Sequence, residues 1–158
     1  MITAYRIFNT LYAAGWNDGE GAFEYGGRWN SPGVRVLYSS SNLALAALEV
    51  LVHLDDEEIM ADYSFATVRF PDDSVIDVHE MATLPPDWRD YPASQELREI
   101  GDRWVHGRAS LALRVPTAVV PRESNYIINL EHPSASRIDF GRVERFVFDP
   151  RFVKGRGK

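Results

Sequence analysis

The longest apolar run in the chain predicts a helix that carries a single acidic residue. Residues 43–54 are apolar apart from Glu49 and His53. Ser41 or Asn42, just before this run, offers a side-chain oxygen that can cap the first turn of the helix. Because an unpaired carboxylate is costly to bury in such a face, Glu49 is either matched by a cation or kept for chemistry.

Alternation of hydrophobic and polar positions predicts a second helix and several short strands. The second helix is expected over 93–108, and its inner face should carry Leu97, Ile100, Trp104 and Val105. The strands are expected over 5–8, 34–39, 62–70, 74–78, 117–120, 126–129 and 144–148. The third and fourth of these are expected to pair across the turn between them. Strands mixed with two helices predict a single α+β domain whose core is a mixed, mainly antiparallel sheet.

The connecting segments are marked by glycine and by clustered polar residues. The glycine-rich segment 15–33 is expected to be a long loop, and loops of this length are often functional. The four acidic residues at 55–58 are expected to form a solvated loop after the first helix. The turn before the strand at 126–129 contains Ser124 and Asn125, whose short polar side chains can form hydrogen bonds within the turn.

Composition limits the class of protein. A chain of 158 residues with 45% hydrophobic content is the size of one domain, expected over 1–150 and followed by a basic tail at 151–158. The formal charge of −6 argues against direct nucleic-acid binding through a basic face. The absence of cysteine and the spacing of the four histidines make a metal site an unfavourable interpretation. With neither an export pattern nor a membrane-spanning run, we expect a cytoplasmic protein without membrane contact.

Two arginines are candidates for binding an anion. The glycines at 26–27 leave the backbone free of bulk just before Arg28, which allows close approach of a phosphate and bidentate hydrogen bonding to it. The alternative is a tight turn whose arginine packs on Trp29. Arg6 points to the opposite face of its strand from its two neighbours, and it is either a surface residue or a second guanidinium that would suit a diphosphate.

Glu49 and Arg28 are interpreted as two halves of one site. Tyr38 closes the strand that leads into the Glu49 helix, so its ring either lines the same cleft or is an ordinary core aromatic. A second hypothesis is a non-catalytic binding module in which Arg28 and Glu49 form a buried structural ion pair. The chain has no serine-nucleophile elbow, phosphate-loop motif or dinucleotide-binding glycine turn after a strand.

In order and approximate spacing, several segments together resemble the RES-domain family. The family comprises toxins of bacterial toxin–antitoxin pairs and is named for an Arg, a Glu and a Ser. The similar segments are Tyr-Arg-Ile at 5–7, Gly-Arg-Trp-Asn at 27–30, Pro-Gly at 32–33, Val-Leu-Tyr-Ser at 36–39, Ala-Ala-Leu-Glu-Val-Leu-Val-His at 46–53, Val-Pro-Thr at 115–117, Asn-Tyr-Ile-Ile-Asn at 125–129 and His-Pro at 132–133.

The resemblance implies a fold like that of ADP-ribosyltransferases and an activity that destroys NAD by splitting its nicotinamide glycosidic bond. NAD would be the substrate, with no cofactor and no metal, and the acceptor would be water or phosphate. In this interpretation Arg6 and Arg28 hold the phosphates, Tyr38 packs on the nicotinamide end, and Glu49 stabilises positive charge on the ribose. The resemblance also implies an Xre-like antitoxin as partner, and it allows a homodimer within a toxin–antitoxin complex. Protein ADP-ribosylation is an alternative activity.

Two positions depart from the family pattern. The family often has Ser where this chain has Thr117, and often Pro where it has Leu130. We therefore place the functional hydroxyl at Ser124, beside Asn125 as a second ligand-binding residue. Thr117 retains a hydroxyl and is the alternative.

Overall fold

Eight strands form one mixed sheet, in a computed structural model that describes residues 1–154. The strands are β1 (Ile2–Asn9), β2 (Val36–Ser40), β3 (Tyr63–Phe70), β4 (Val75–Asp77), β5 (Ala112–Pro116), β6 (Ser124–Asn129), β7 (Asp139–Phe140) and β8 (Glu144–Phe146). Their order is β4-β5-β6-β2-β1-β3-β7, and β8 pairs with β3 beside β7. All pairs are antiparallel except β4 with β5.

Within residues 1–154, four α-helices accompany the sheet: α1 (Glu20–Tyr25), α2 (Leu43–Leu51), α3 (Asp56–Ile59) and α4 (Gln95–Gly107). The predicted α+β class with a mixed, mainly antiparallel sheet is therefore confirmed. Across residues 1–154, no helix has the length and apolar character needed to cross a bilayer. Residues 155–158 of the predicted basic tail lie outside the described residues.

The two main helices lie on the same face of the sheet. The four predicted inner-face residues of α4 are all buried, and they pack against the β5-β6-β2 part of the sheet. Ala46 of α2 packs with Ile7 and Tyr63 over β1 and β3. The opposite face is covered by a separate cluster that includes Phe8, Trp16 and other apolar side chains. A space is left between α2 and α4.

The sheet diverges under that space. β1 and β3 are paired along eight positions, whereas β1 and β2 are paired only where Tyr5 meets Ser40. Side chains of Tyr5 and Ile7 from β1, and of Val36 and Tyr38 from β2, line the space on either side of this divergence. The sheet therefore supplies the floor of a cleft.

The predicted pairing of the third and fourth strands is wrong. One edge of β3 is paired with β1 along its whole length, and the other edge is occupied by β7 and β8. No edge of β3 is left for β4, so the turn at Asp72–Ser74 leads the chain to the far end of the sheet, where β4 pairs in parallel with β5.

The predicted strand at 117–120 is also wrong. The strand in this region is β5, which ends at Pro116. Residues 117–119 instead line the cleft, and Thr117 N donates to Glu123 O in the connection to β6. Ser124 and Asn125 lie within β6 itself and not in a turn.

Two predicted loops contain short helices. The acidic segment after the first helix forms α3, because Asp55 and Glu58 make a reciprocal capping box: Asp55 Oδ1 accepts from Glu58 N at 2.8 Å, and Glu58 Oε2 accepts from Asp55 N at 2.9 Å. The segment 15–33 contains α1. The cap of α2 is Asn42, whose Oδ1 accepts from Leu45 N at 2.8 Å, and the helix ends at Leu51, three residues before the end of the apolar run at 43–54 from which it was predicted.

Candidate functional site

The space between α2 and α4 is a cleft of about 1020 Å³. This volume is at the upper end of the range for small-molecule sites. The residues lining it come from β1, β2, α2, α4, the 26–29 turn, the 89–93 segment and the start of the β5–β6 connection. The two halves of the predicted site, Arg28 and Glu49, are both among them.

Glu49 is held in one orientation by two donors. Its Oε1 accepts a hydrogen bond from Asn125 Nδ2 at 2.7 Å and another from the Thr117 hydroxyl. Thr117 Oγ1 in turn accepts from Val119 N at 3.1 Å, so its single hydrogen is directed to Glu49. Asn125 Oδ1 accepts from Ser40 Oγ at 2.8 Å, which fixes the amide. The carboxylate is therefore preorganised by three elements.

The second oxygen of Glu49 is available to a ligand. No side chain or backbone amide of the described chain donates to Oε2. Glu49 is half-buried on the helix face that lines the cleft. A carboxylate with one oxygen fixed and the other unbonded can act on a charge that develops in the cleft.

Arg28 does not pair with Glu49. Its Nη1 donates to Trp88 O at 2.8 Å and to Asp90 O at 3.0 Å, and the ion pairs within residues 1–154 join other side chains. The alternative of a structural Arg28–Glu49 ion pair is therefore wrong. Burial lowers the pKa of Arg28, and the negative charge of Glu49 in the same cleft partly opposes that effect.

Helix α4 holds the turn that carries Arg28. Arg98 Nε donates to Gly27 O at 3.1 Å, and Asp102 Oδ1 accepts from Ser31 N at 2.9 Å. Between them, the Gly101 backbone lies so close to the turn that an added Cβ would be 1.7 Å from Trp29 O. The turn is thus fixed to the helix at three points.

Tyr38 supports the same turn from the sheet. Its hydroxyl accepts from Trp29 N at 3.0 Å and donates to Asn30 Oδ1 at 2.7 Å. Burial raises the pKa of Tyr38, and the Trp29 amide and the charges of Arg98 and Arg28 offset this only in part. The hydroxyl is thus neutral and fully used, whereas the ring lines the cleft.

We expect Tyr38→Phe to lower the free energy of unfolding by about 1–3 kcal/mol, because it leaves Trp29 N and the fully buried Asn30 Oδ1 without a partner. Urea denaturation is the measurement. The matched control is Tyr12→Phe, since Tyr12 is 70% exposed and makes no side-chain hydrogen bond within residues 1–154. Equal stability of the two variants would show that the hydroxyl does not support the turn.

Arg6 lines the cleft at the divergence of the sheet, but it is largely committed to the backbone. Its Nε donates to Trp16 O at 3.2 Å and its Nη1 to Tyr38 O at 3.0 Å. Burial lowers the pKa of Arg6, and Asp18 partly opposes this. The guanidinium therefore joins β1, β2 and the segment after β1.

The two candidate hydroxyls are placed differently. Thr117 contacts Glu49 and lines the cleft, and Asn125 does the same. Ser124 does not line the cleft, because neighbouring positions of a strand face opposite sides.

Two arginines that line the cleft, Arg98 and Arg89, were not predicted from the sequence. Arg98 follows the buried Leu97 on an amphipathic helix, and nothing in that pattern distinguishes it from a surface arginine.

Comparison with known proteins identifies the family. A family model described as the RES domain matches residues 3–149. A protein named Toxin Res from Photorhabdus laumondii subsp. laumondii is 36% identical over 162 residues, covering 96% of this chain and 97% of that protein. Another Toxin Res, from Yersinia enterocolitica, is 34% identical over 148 residues, covering 93% of this chain and 97% of that protein.

Two further relatives extend the comparison. A protein from Sphingobium sp. named Prs ADP-ribosylating toxin is 36% identical over 146 residues, covering 90% of each chain. A chain from the crystal structure of the M. tuberculosis MbcT–MbcA toxin–antitoxin complex has the same fold, with a TM-score of 0.77 over 96% of this chain and 86% of that one, at 19% identity. Because the family model spans nearly the whole chain and relatives above 30% identity cover it, this protein belongs to the RES-domain family.

Proposed function

We propose that this chain is the toxin of a bacterial toxin–antitoxin pair and that it destroys NAD by breaking the nicotinamide glycosidic bond. The observation that carries the proposal is the Glu49 carboxylate, fixed at Oε1 by Thr117 and Asn125 and unbonded at Oε2, in a cleft that also contains Arg28. The names of the relatives as toxins support the biological role.

The chemistry of the bond explains why a fixed carboxylate would matter. When the bond between the ribose C1′ and the nicotinamide nitrogen breaks, nicotinamide leaves with the bonding electron pair and the ribose becomes an oxocarbenium-like cation. Glu49 Oε2 would face this cation, and the attraction is stronger in the transition state than in the ground state. The acceptor then forms the new bond to C1′ with its own electron pair, and an acceptor that is water releases one proton to the solvent.

Other cleft residues would bind the remainder of NAD. The Arg28 guanidinium retains Nε and Nη2, which make no hydrogen bond within residues 1–154, and charge-assisted bonds from them would suit a phosphate. The Tyr38 ring would pack against the nicotinamide. Asn125 would act chiefly by orienting Glu49, and Arg6 by holding the floor of the cleft near the dinucleotide.

The acceptor distinguishes the candidate reactions. Water would give ADP-ribose, phosphate would give ADP-ribose 1″-phosphate, and a protein acceptor would give a modified protein. The last is the second candidate function, favoured by the ADP-ribosylating activity in the name of the Sphingobium relative. Incubation of the purified chain with NAD, with and without phosphate or a cell extract, should yield nicotinamide and one of these products. Unchanged NAD under all conditions would contradict the proposal.

A toxin of this kind needs a partner that restrains it. We propose that the partner is an Xre-like antitoxin. We also propose that the toxin acts in the cytoplasm and that it forms a homodimer within the toxin–antitoxin complex. The M. tuberculosis crystal structure that shares this fold is a toxin–antitoxin complex, which supports an antitoxin partner for this chain. Co-expression with the neighbouring gene should restore growth and recover both chains in one complex.

We expect Thr117→Val to lower nicotinamide release by roughly 10- to 100-fold, because Glu49 loses one of the two donors that orient it. Thr117→Ser keeps the hydroxyl and should retain most activity. Ser124→Ala tests the competing assignment and should have little effect. Loss of activity in Ser124→Ala but not in Thr117→Val would show that Ser124 supplies the functional hydroxyl.

A further inference from the structure

Within residues 1–154, four guanidinium groups line the cleft, and Arg98 has the most N–H groups that make no hydrogen bond. Arg6 uses Nε and Nη1 on two carbonyls, and Arg89 uses Nε and Nη2 on Ala118 O. Arg28 uses Nη1 on two carbonyls. Arg98 uses only Nε. Within residues 1–154 it therefore retains both terminal nitrogens, with four N–H groups between them.

The one hydrogen bond that the Arg98 side chain makes in the described part of the chain also orients its guanidinium. Its Nε donates to Gly27 O at 3.1 Å, on the peptide unit that joins Gly27 to Arg28. Because a guanidinium is planar and rigid, fixing Nε directs the Nη1–Nη2 edge away from the turn. That edge is the two-pronged fork that matches two oxygens of a phosphate.

No acidic side chain neutralises Arg98 in the part of the chain that the structure describes. None of the ion pairs found there includes Arg98. The carboxylate one turn along the helix, Asp102, directs Oδ1 to Ser31 N. Arg98 is half-buried, so its charge is only partly solvated. A half-buried cation without a counter-ion, beside a cleft, favours an anionic ligand.

Arg28 and Arg98 line the same cleft and are linked through one turn. Arg98 Nε donates to the carbonyl of Gly27, the residue that precedes Arg28. A diphosphate carries more charge than one guanidinium matches, and two phosphates need two separate forks. Arg98 retains the Nη1–Nη2 edge of its guanidinium and Arg28 retains Nε and Nη2, so each has donors for one phosphate.

We propose that Arg98 and Arg28 together form the diphosphate subsite of the cleft, with Arg98 binding the second phosphate. The inference rests on the proposed function in one respect, namely that the ligand is a dinucleotide. It assigns the second phosphate to Arg98 in place of Arg6, whose Nε and Nη1 already donate to the backbone carbonyls of Trp16 and Tyr38.

The test is calorimetric titration of ADP and AMP into wild type, Arg98→Gln and Arg103→Gln. Arg103 is the matched control because it lies on the same helix, is exposed and does not line the cleft. We expect Arg98→Gln to weaken ADP binding by about 10- to 100-fold and AMP binding much less, because Arg28 can hold a single phosphate. Arg103→Gln should bind both nucleotides like wild type.

A purely structural role of Arg98 predicts a different result. If Arg98 only held the turn, its loss would displace Arg28 and weaken the binding of AMP and ADP equally, and that result would overturn the proposal. Unchanged ADP binding by Arg98→Gln would also overturn it. So would a wild-type protein that does not bind ADP. In turnover of NAD, Arg98→Gln should raise KM by a similar factor with kcat nearly unchanged. Selective loss of ADP binding in a protein that does not cleave NAD would support the subsite and contradict the proposed function alone.

Discussion

Replacing Glu49 with glutamine should reduce nicotinamide release by about 10²–10³-fold while the fold is retained. The glutamine carbonyl can still accept from Thr117 and Asn125, so the side chain keeps its place. What changes is the group at the position of Oε2, where a neutral amide replaces an anion. A neutral amide cannot stabilise the positive charge of an oxocarbenium ion, so the substitution raises the free energy of the transition state.

The expected signature is a lower kcat with little change in KM for NAD or in stability. The free energy of unfolding should change by no more than about 1 kcal/mol, because the hydrogen-bond partners remain. Glu131→Gln is the matched control, since Glu131 is exposed and outside the cleft. Retention of full activity by Glu49→Gln would remove Glu49 from the reaction, and an unfolded variant would indicate a structural role.

The second large effect is expected from Gly101→Ala in α4. The new Cβ would be 1.7 Å from Trp29 O and 2.7 Å from Trp29 C, and both are backbone atoms that cannot rotate away. The helix and the turn must separate, which breaks the bonds from Arg98 to Gly27 and from Ser31 to Asp102. We expect a loss of about 2–4 kcal/mol in the free energy of unfolding.

The same separation should displace Arg28, so activity at temperatures where the variant is folded should also fall. The control is Gly107→Ala at the end of the same helix, where no atom lies within 4 Å of an added Cβ. That substitution should be neutral or stabilise the protein by up to about 1 kcal/mol, through helix propensity. If the two alanine variants melt at the same temperature, the close contact between helix and turn is not real.

The sequence predicted those parts of the fold that depend on local patterns. The apolar run identified α2 and its lone acid, and the spacing of Leu97, Ile100 and Trp104 identified the buried face of α4. Strand pairing was less predictable, because it depends on which sheet edges are already occupied. β4 could not join β3 once β1, β7 and β8 had taken both edges of that strand, and no local signal records this.

The candidate site likewise contains some residues that the sequence could identify and others that it could not. Arg28, Tyr38 and Glu49 could be chosen because each stands out from its own segment: an arginine after two glycines, an aromatic at a strand end and an acid in an apolar helix. Arg98 could not, because its place depends on contact between α4 and a turn 71 residues away in the chain. The choice between Thr117 and Ser124 likewise depended on where β5 ends and β6 begins.

The most direct test of the central claim is to identify which bond of NAD the purified chain breaks. Mass spectrometry of the products should show free nicotinamide, with the diphosphate intact in the ADP-ribosyl product. Nicotinamide mononucleotide and AMP would instead indicate cleavage within the diphosphate. That result, or NAD left intact in the presence of water, phosphate and protein acceptors, would contradict the account.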